Sequence, residues 1–529
     1  MSKIAQYLNE HLLGNVTGLT SLRASYASDA SVLGVTPELI VYPKTTNDIR
    51  KAARFSWQLA EKGHVLSLTP RGYGGDATGG AIGAGLLLDI SRHLHSILYL
   101  STAKDKVKIA HVQPGVSLRT LHEALRWQGM TLPAYSPDIP DMTVGGAIAG
   151  GVVTYRSGQG TIADVIDRME VVLANGDLME LGRISKREVS KKQGEQTLEG
   201  EIYRRIDELL EEETGLIEKL SSDNDNTGYR IDQVKHKDGS FDLTPLFIGS
   251  QGTLGIISEV VLKTDFYRDE ELALAVACSS VDDARDAADM LRQLDPAALL
   301  FIDGDIFAAA RERGNRFIFD SADDATYPSA VVYATFSDFS DKVRNRKLKR
   351  IQKLLAKRDV TLFSTNTERA DDLNAIRDVD QLIDTPLRID ETRVMVCDGA
   401  YVPSERLRDF IGEVTALASK HRIKLPLAVD MMTGVVSAKT TLSLKKVSDK
   451  QKIFKLAAEY AEIVHRLDGS IAGGQAEGRL GAFAGYPQVD EAIIQLNTKI
   501  RKIFDPFDTL NPGVKQVSDI KTLVKLLKV

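Results

Sequence analysis

A chain of 529 residues is too long for one compact core, so two or three domains are expected. Hydrophobic residues make up 43% and charged residues 26%, a globular composition rather than a disordered or fibrous one. The net charge of −6 gives no general attraction to nucleic acid. Cys278 and Cys397 stand far apart, which excludes a CxxC metal site or an iron–sulfur cluster and makes a disulfide framework unexpected. Residues 1–15 hold no long apolar run of the secretory kind, and no window approaches about eighteen consecutive apolar residues. The expectation is a cytoplasmic protein without a transmembrane segment, at most peripheral to a membrane.

In chain order, residues 39–43 (LIVYP) predict a short strand ended by Pro43. An amphipathic helix is predicted over 47–62, with Asn47 as its N-cap and Gly63 as its stop. Residues 64–69 read as a buried strand running into a glycine-dense loop, 71–80, and 85–90 as the next strand. A β-α pair follows at 106–115 and 117–129, then a Gly/Pro-rich passage, 132–160. Strand 167–182 turns at Asn175-Gly176. Residues 183–240 are polar and charged and read as a probable insertion with a helix at about 201–219. Strands are predicted again at 245–250 and 255–264. Near 265 the pattern changes to strands and helices in alternation, with helices over 281–294, 341–357, 404–420 and 449–467. That pattern predicts an α+β cap after a first domain at 1–264.

The sharpest local feature is Pro70-Arg71-Gly72-Tyr73-Gly74-Gly75-Asp76-Ala77-Thr78-Gly79-Gly80. A glycine-dense turn leaving a buried strand can aim successive backbone N–H groups into one concavity, a nest for a pyrophosphate. The GxGxxA match inside it is weak, because a Rossmann turn runs directly into a helix and this loop runs into a strand. A glycine-rich hairpin without a ligand is the plain alternative. Three further loops shift the balance: 137–151 (PDIPDMTVGGAIAGG), 154–161 (TYRSGQGT) and 249–257 (GSQGTLGII). Each sets small residues and hydroxyls beside backbone amides, as a long phosphate-bearing ligand requires.

In this order the motifs resemble the flavoprotein family of vanillyl-alcohol oxidase, p-cresol methylhydroxylase and the FAD-linked D-2-hydroxyacid dehydrogenases. RGYGGDATGG (71–80) resembles its pyrophosphate loop, VQPGVSL (112–118) the strand and turn after it, and TVGGAIAGG (143–151) its second flavin loop. GTIADVIDRMEVVLANGD (160–177), LFIGSQGTLGIISEVVLKT (246–264) and DPFDTLNPG (505–513) are similar to later segments, the last being the family's return to the flavin. The resemblance implies a two-subdomain p-cresol-methylhydroxylase-type FAD-binding domain at 1–264. It also implies a cap with an antiparallel sheet at 265–485 and a C-terminal return to the FAD domain at 486–529. It implies that Arg71, Gly72, Tyr73, Gly74, Gly75, Asp76 and Ala77 cradle the pyrophosphate, with Gly79 and Gly80 closing the turn. Pro137, Thr143, Gly145 and Gly146 would follow the ribityl and diphosphate, and Ser157, Gly160 and Thr161 would lie near the flavin. Gly252, Thr253 and Ile257 would meet the adenine end, while Asn511 and Pro512 would cover the isoalloxazine edge. Where relatives with covalent flavin carry a His, Gly75 stands here, so non-covalent FAD is expected.

The cap departs from the hydroxyacid branch. That branch has histidine-rich motifs for a divalent metal and a catalytic His. The matching stretches here, 428–444 and Gly473-Gly474-Gln475-Ala476-Glu477-Gly478-Arg479, contain no histidine, so no metal site is expected. His421 and His465 read as solvated helix residues. Arg377 matches an arginine that binds a substrate carboxylate in that branch, a role suited to its planar fork. Tyr401 and Glu477 are the other catalytic candidates, with Asp430, Lys439 and Arg479 behind them; were a metal present, Asp398, Asp430 and Glu477 would be the first ligands to suspect. The basic helix 341–358 and tail 517–529 could dock an anionic membrane or an acidic partner, or could simply pack. The resemblance implies an FAD-dependent oxidoreductase moving a hydride from a small hydroxyl-bearing substrate to flavin, and thence to a quinone, oxygen or a redox protein. A sugar, polyol or lactone oxidase or epimerase, or a flavin-binding subunit of a larger redox complex, are the alternatives.

Overall fold

The computed structural model describes residues 3–528 apart from 134–140, 154–156, 221–224, 268–270, 321–327, 339, 385–386, 389–390 and 396–397. Cys397, Pro137, Tyr155 and Arg156 therefore lie outside the described residues.

The first half is built on two sheets. In the smaller one, Leu68–Arg71 and Leu39–Tyr42 flank Leu86–Asp89 in parallel, and Asn15–Thr17 adds an antiparallel edge. Strand 86–89 is buried along its whole length, as the run LLLD requires. Helix Thr46–Ala60 lays Ile49, Ala52 and Ala53 on this sheet; its N-cap is Thr45, whose hydroxyl accepts from Asp48 N, and not the predicted Asn47, which lies inside the first turn. The larger sheet is antiparallel, in the order 97–100, 109–112, 256–263, 166–172, 178–181. Its last two strands join through the Asn175-Gly176 turn, where Gly176 has φ +83°.

Within residues 183–240, read as a probable insertion, helices Lys186–Gln193 and Leu198–Glu212 bury Val189, Ile202, Tyr203, Ile206 and Leu209 in the same core as the antiparallel sheet. Their charges lie on the outer face and hide a narrow apolar stripe. The strand predicted at 245–250 is a short helix, Thr244–Phe247, because Pro245 stands in its first turn and Thr244 N is held by Asp242.

The second half carries one seven-stranded antiparallel sheet in the order 360–364, 272–278, 330–336, 298–303, 427–430, 435–438, 400–401. Both faces are covered. Leu272, Leu274, Val276 and Cys278 point to helices 281–292, 341–355, 407–421 and 447–466, while the intervening Ala273 and Ala275 face helices 304–311, 370–377 and 379–382. The basic helix packs as a cap helix through Leu348, Ile351 and Leu355. His421 is not solvated: it is buried and bonded to Glu459 at 2.9 Å. No helix among the described residues is long and apolar enough to cross a membrane.

The chain ends back on the first half. Helix Glu491–Phe504 inserts Leu496, Ile500, Ile503 and Phe504 into the core beneath the antiparallel sheet. Residues 509–511 then pair with strand 68–71 through Leu68 N to Thr509 O (2.7 Å) and Asn511 N to Leu68 O (2.8 Å). Beneath this segment Lys515 and Glu477 form an ion pair of 2.5 Å with both side chains fully buried. Gly228 N and the Tyr486 hydroxyl donate to the other Glu477 oxygen, each at 2.8 Å. Lys515→Met should therefore cost about 3–5 kcal/mol by stranding that carboxylate. A second change, Glu477→Gln, should recover much of the loss. Thermal melts of the wild type, single and double variants check this; a double variant no more stable than Lys515→Met refutes it.

Candidate functional site

Between the halves lies a cleft of about 340 Å³. Its floor is the set of glycine loops from the first half, 70–76, 80–81, 141–150 and 250–257, and its roof is a charged wall of the cap. The first loop leaves the parallel strands at their carboxyl ends, the edge where open α/β sheets leave a crevice. Asp76 folds it: one carboxylate oxygen accepts from Thr78 N (2.7 Å), Thr78 Oγ1 (2.8 Å) and Gly80 N (2.9 Å). Gln251 in the third loop donates to the other Asp76 oxygen at 2.8 Å and accepts from Gly478 N at 2.9 Å. Gln251 adopts φ +51°, a left-handed conformation that its own hydrogen bonds hold in place.

The glycines are explained by close approach. A Cβ on Gly72 would stand 2.4 Å from Thr143 Oγ1, so the first two loops interlock there. Thr143 caps helix Val144–Gly150 by accepting from Gly146 N at 3.1 Å. A Cβ on Gly145 would meet Pro114 at 2.7 Å, and one on Gly252 would meet Pro70 at 2.4 Å. Gly75 is different: nothing lies within 4 Å of its Cβ position, and the space it leaves opens into the cleft. A chain of small residues around a hollow that a side chain would fill suits an extended, phosphate-bearing cofactor.

Of the residues predicted for the cofactor, Arg71, Gly72, Tyr73, Gly74, Gly75, Asp76, Gly80, Thr143, Gly145, Gly146, Gly252 and Ile257 line this cleft. Others are placed elsewhere. Ala77 is buried, and Gly79 packs on Leu33 and Arg479 at the back of the loop. Thr253 is fully buried and bonds Tyr229 at 2.7 Å. Asn511 is a staple rather than a cover: its amide donates to Gly80 O (2.7 Å) and Gln251 O (2.8 Å), locking two loops together from behind. Ser157, Gly160 and Thr161 lie outside the cleft lining; Thr161 forms a capping box with Asp164, and Gly158 allows Pro296 O of the cap to approach.

Among the catalytic candidates, Arg377 reaches the cleft, but its fork is closed on Asp378, Nε to Oδ1 at 2.7 Å and Nη2 to Oδ2 at 2.8 Å. Tyr401 lies outside the lining, its ring against Gly434. Glu477 lies outside it too, held in the buried pair with Lys515. Arg479 is a buttress: Nε and Nη2 donate to Gly79 O and Ile82 O, both at 3.0 Å, and burial pushes its pKa down to about 10. Asp430 serves a turn, accepting from Met432 N and Thr433 Oγ1.

The wall instead presents a group that sequence reasoning did not assemble. Lys439 bonds Asp380 and lies 3.9 Å from Asp384; Arg393 spans the same two, at 2.8 Å and 2.7 Å. Asp398 completes the cluster. Burial raises its carboxyl above the usual range, with Lys439 opposing. Burial also acts on Asp380, but Lys439 and Arg393 outweigh it and hold that carboxyl low. Burial pulls the Lys439 ammonium down, while Asp398 and Asp380 outweigh it and hold its pKa up. Asp380 comes from a helix, Arg393 from a strand, and Asp384, Asp398 and Lys439 from linking segments; Asp380 and Lys439 lie 59 positions apart, which no local pattern connects.

Two family models match, an FAD binding domain over residues 37–182 and the C-terminal domain of FAD linked oxidases over 269–514. The chain belongs to the FAD-linked oxidases. It is 24% identical over 518 residues to D-2-hydroxyglutarate dehydrogenase of Pantoea ananatis, covering 93% of this chain and 49% of that protein. The chain thus spans about half the length of that relative. Glycolate oxidase subunit GlcD of Bacillus subtilis is 22% identical, with 92% of this chain and 91% of that one covered. In structure it is similar to 4-ethylphenol oxidase from Gulosibacter chungangensis, with TM-score 0.70, 15% identity and 98% and 97% of the two chains covered. Substrate-bound p-cresol methylhydroxylase also matches, with TM-score 0.70, 12% identity and 98% and 96% covered.

FAD is the cofactor of these FAD-linked oxidases, and the glycine cradle fits it. The structure selects a probe of that fit. Gly74→Val is confounded, because Gly74 has φ +74° and a Cβ would strike the Arg71 guanidinium at 2.1 Å. Gly75→Val places its Cβ where no protein atom lies within 4 Å and should fold like the wild type while losing most of its flavin absorbance. A folded variant with a full flavin complement would show that the cofactor does not pass Gly75.

Proposed function

We propose that this protein is an FAD-dependent dehydrogenase that oxidises the hydroxyl-bearing carbon of a small molecule held between the glycine loops and the cap wall. The observation that carries the reading is one cleft shared by a cofactor cradle and a cluster of partly buried ionisable groups. FAD, when bound, supplies a two-electron acceptor for a hydride. The relatives named as D-2-hydroxyglutarate dehydrogenase and glycolate oxidase subunit support a CH–OH substrate. Near equality of length with the latter favours a second reading, a flavin-bearing subunit of a larger redox assembly.

The chain's own residues supply the proton chemistry. Asp398 lines the cleft half-buried, with its carboxyl raised by desolvation, which makes it a better proton acceptor than a solvated aspartate. Lys439 beside it would hold the substrate oxygen and offset charge that develops there. Gly75 offers no side chain at the position where relatives with covalent flavin carry a His. FAD should therefore be released by acid or heat, and flavin retained on the denatured polypeptide would contradict this. Anaerobic bleaching of the yellow holoprotein by a panel of hydroxyl compounds tests the oxidation itself, and no bleaching by any of them opposes it.

A divalent metal fits the cap poorly. The cleft carboxylates Asp380 and Asp384 are taken by Lys439 and Arg393, and the segment at 474–475 offers a glycine and a neutral amide. Turnover should survive prolonged EDTA treatment. Loss of activity restored by one equivalent of a divalent ion would overturn that expectation.

A further inference from the structure

The charge balance of the cap wall bears on which molecules the cleft accepts, and the argument rests on the reading of that cleft as the substrate site. A free carboxylate entering a confined site gives up hydration worth several kcal/mol and needs a cation to receive it. Among the described residues three cations stand at this wall or directly behind it, and each is engaged. Arg377 holds both oxygens of Asp378 and donates from Nη1 to Asn374 Oδ1 at 3.1 Å. Arg393 holds Asp380 and Asp384. Lys439 holds Asp380, with Asp384 at 3.9 Å. Against these three stand four carboxylates, Asp378, Asp380, Asp384 and Asp398, all lining the cleft. If Asp398 keeps its proton the balance becomes even, and still no cation among the described residues is in surplus. Arg71 is committed at the loop end, with Nη1 on Ala81 O at 3.1 Å and its guanidinium 5.5 Å from the centre of the Tyr26 ring.

A neutral molecule with several hydroxyls meets none of this cost. Each hydroxyl both donates and accepts, so it can give to a carboxylate oxygen of Asp384 or Asp398 and accept from the Lys439 ammonium or the Gln475 amide. Charge-assisted bonds of that kind are the stronger ones. We propose that the cap wall of this cleft selects an uncharged polyhydroxylated substrate, a polyol or sugar in class, and discriminates against free hydroxy acids.

The test uses the flavin-loaded protein and two probes of one skeleton that cannot be oxidised there, malonate and malonamide. Binding is read by calorimetry and by perturbation of the flavin spectrum at low salt. Malonamide should bind at least about tenfold more tightly, since one unpaired charge in a partly buried site outweighs that ratio. Asp398→Asn should shrink the gap by strengthening malonate. The partly exposed Asp384→Asn, with its side chain 42% accessible, is the milder change and should act in the same direction. Malonate binding as tightly as malonamide, or no discrimination because neither binds, overturns the proposal. A parallel bleaching comparison of lactate with lactamide should favour the amide, and faster bleaching by lactate counts against the proposal. If malonamide wins and no hydroxyl compound bleaches the flavin, the dehydrogenase reading fails while the charge selection stands.

Discussion

The cleft floor depends on one buried hydrogen-bonded hub, in which Gln251 joins the Asp76 carboxylate to the backbone at Gly478. Around it Asn511 bonds Gly80 O and Gln251 O, and Arg479 bonds Gly79 O and Ile82 O. The glycine loop would otherwise be the most entropically costly segment to order, since glycine loses more backbone freedom than any other residue. Four segments, near positions 76, 251, 478 and 511, each contribute polar groups that would be unsatisfied if any other moved away. That mutual dependence makes the loop one rigid object.

The same logic governs how the cap is seated. Backbone bonds cross between the halves at Val153 N to Gly474 O (3.0 Å), Ala476 N to Gly150 O (2.7 Å) and Asn226 N to Ala472 O (2.9 Å). Segment 472–479 therefore belongs to both halves at once: Gly474 and Gln475 face the cleft while Glu477 is buried behind it. The face of the cap sheet built from Ala273 and Ala275 has small side chains, which lets helices 370–377 and 379–382 lie close enough to bring Arg377, Asp378 and Asp380 to the cleft. Packing on that alanine face positions one side of the cap wall.

Electrostatics at the wall then differs in kind from that at the floor. The floor offers glycines, amides and hydroxyls to a cofactor that brings its own negative charge. At the wall, cations and carboxylates neutralise one another at close range, Lys439 and Arg393 against Asp380 and Asp384. Such a network is costly to desolvate and costlier to break singly, so it persists as a fixed template for hydrogen bonds. Its chemistry differs from that of an open arginine fork.

By itself the sequence determined the local features. The strand before the glycine loop, the Asn175-Gly176 turn, the amphipathic helices of the cap and the glycine positions of the floor are written in periodicity and turn chemistry, which act over a few residues. The antiparallel cap sheet and the FAD-linked character were legible for the same reason, through contiguous motifs. Tertiary structure alone decided which polar residues face the cleft. Asn511 and Glu477 sit in motifs beside the flavin loops, yet burial turns them into a staple and an ion pair. His421 sits at a helix end that looks solvated, yet packing covers it against Glu459. Asp380, Asp398 and Lys439 meet only because a helix, a loop and the link between two strands converge, and no local pattern predicts such a meeting. Side-chain charge is a property of one residue, but its partner and its exposure are properties of the fold.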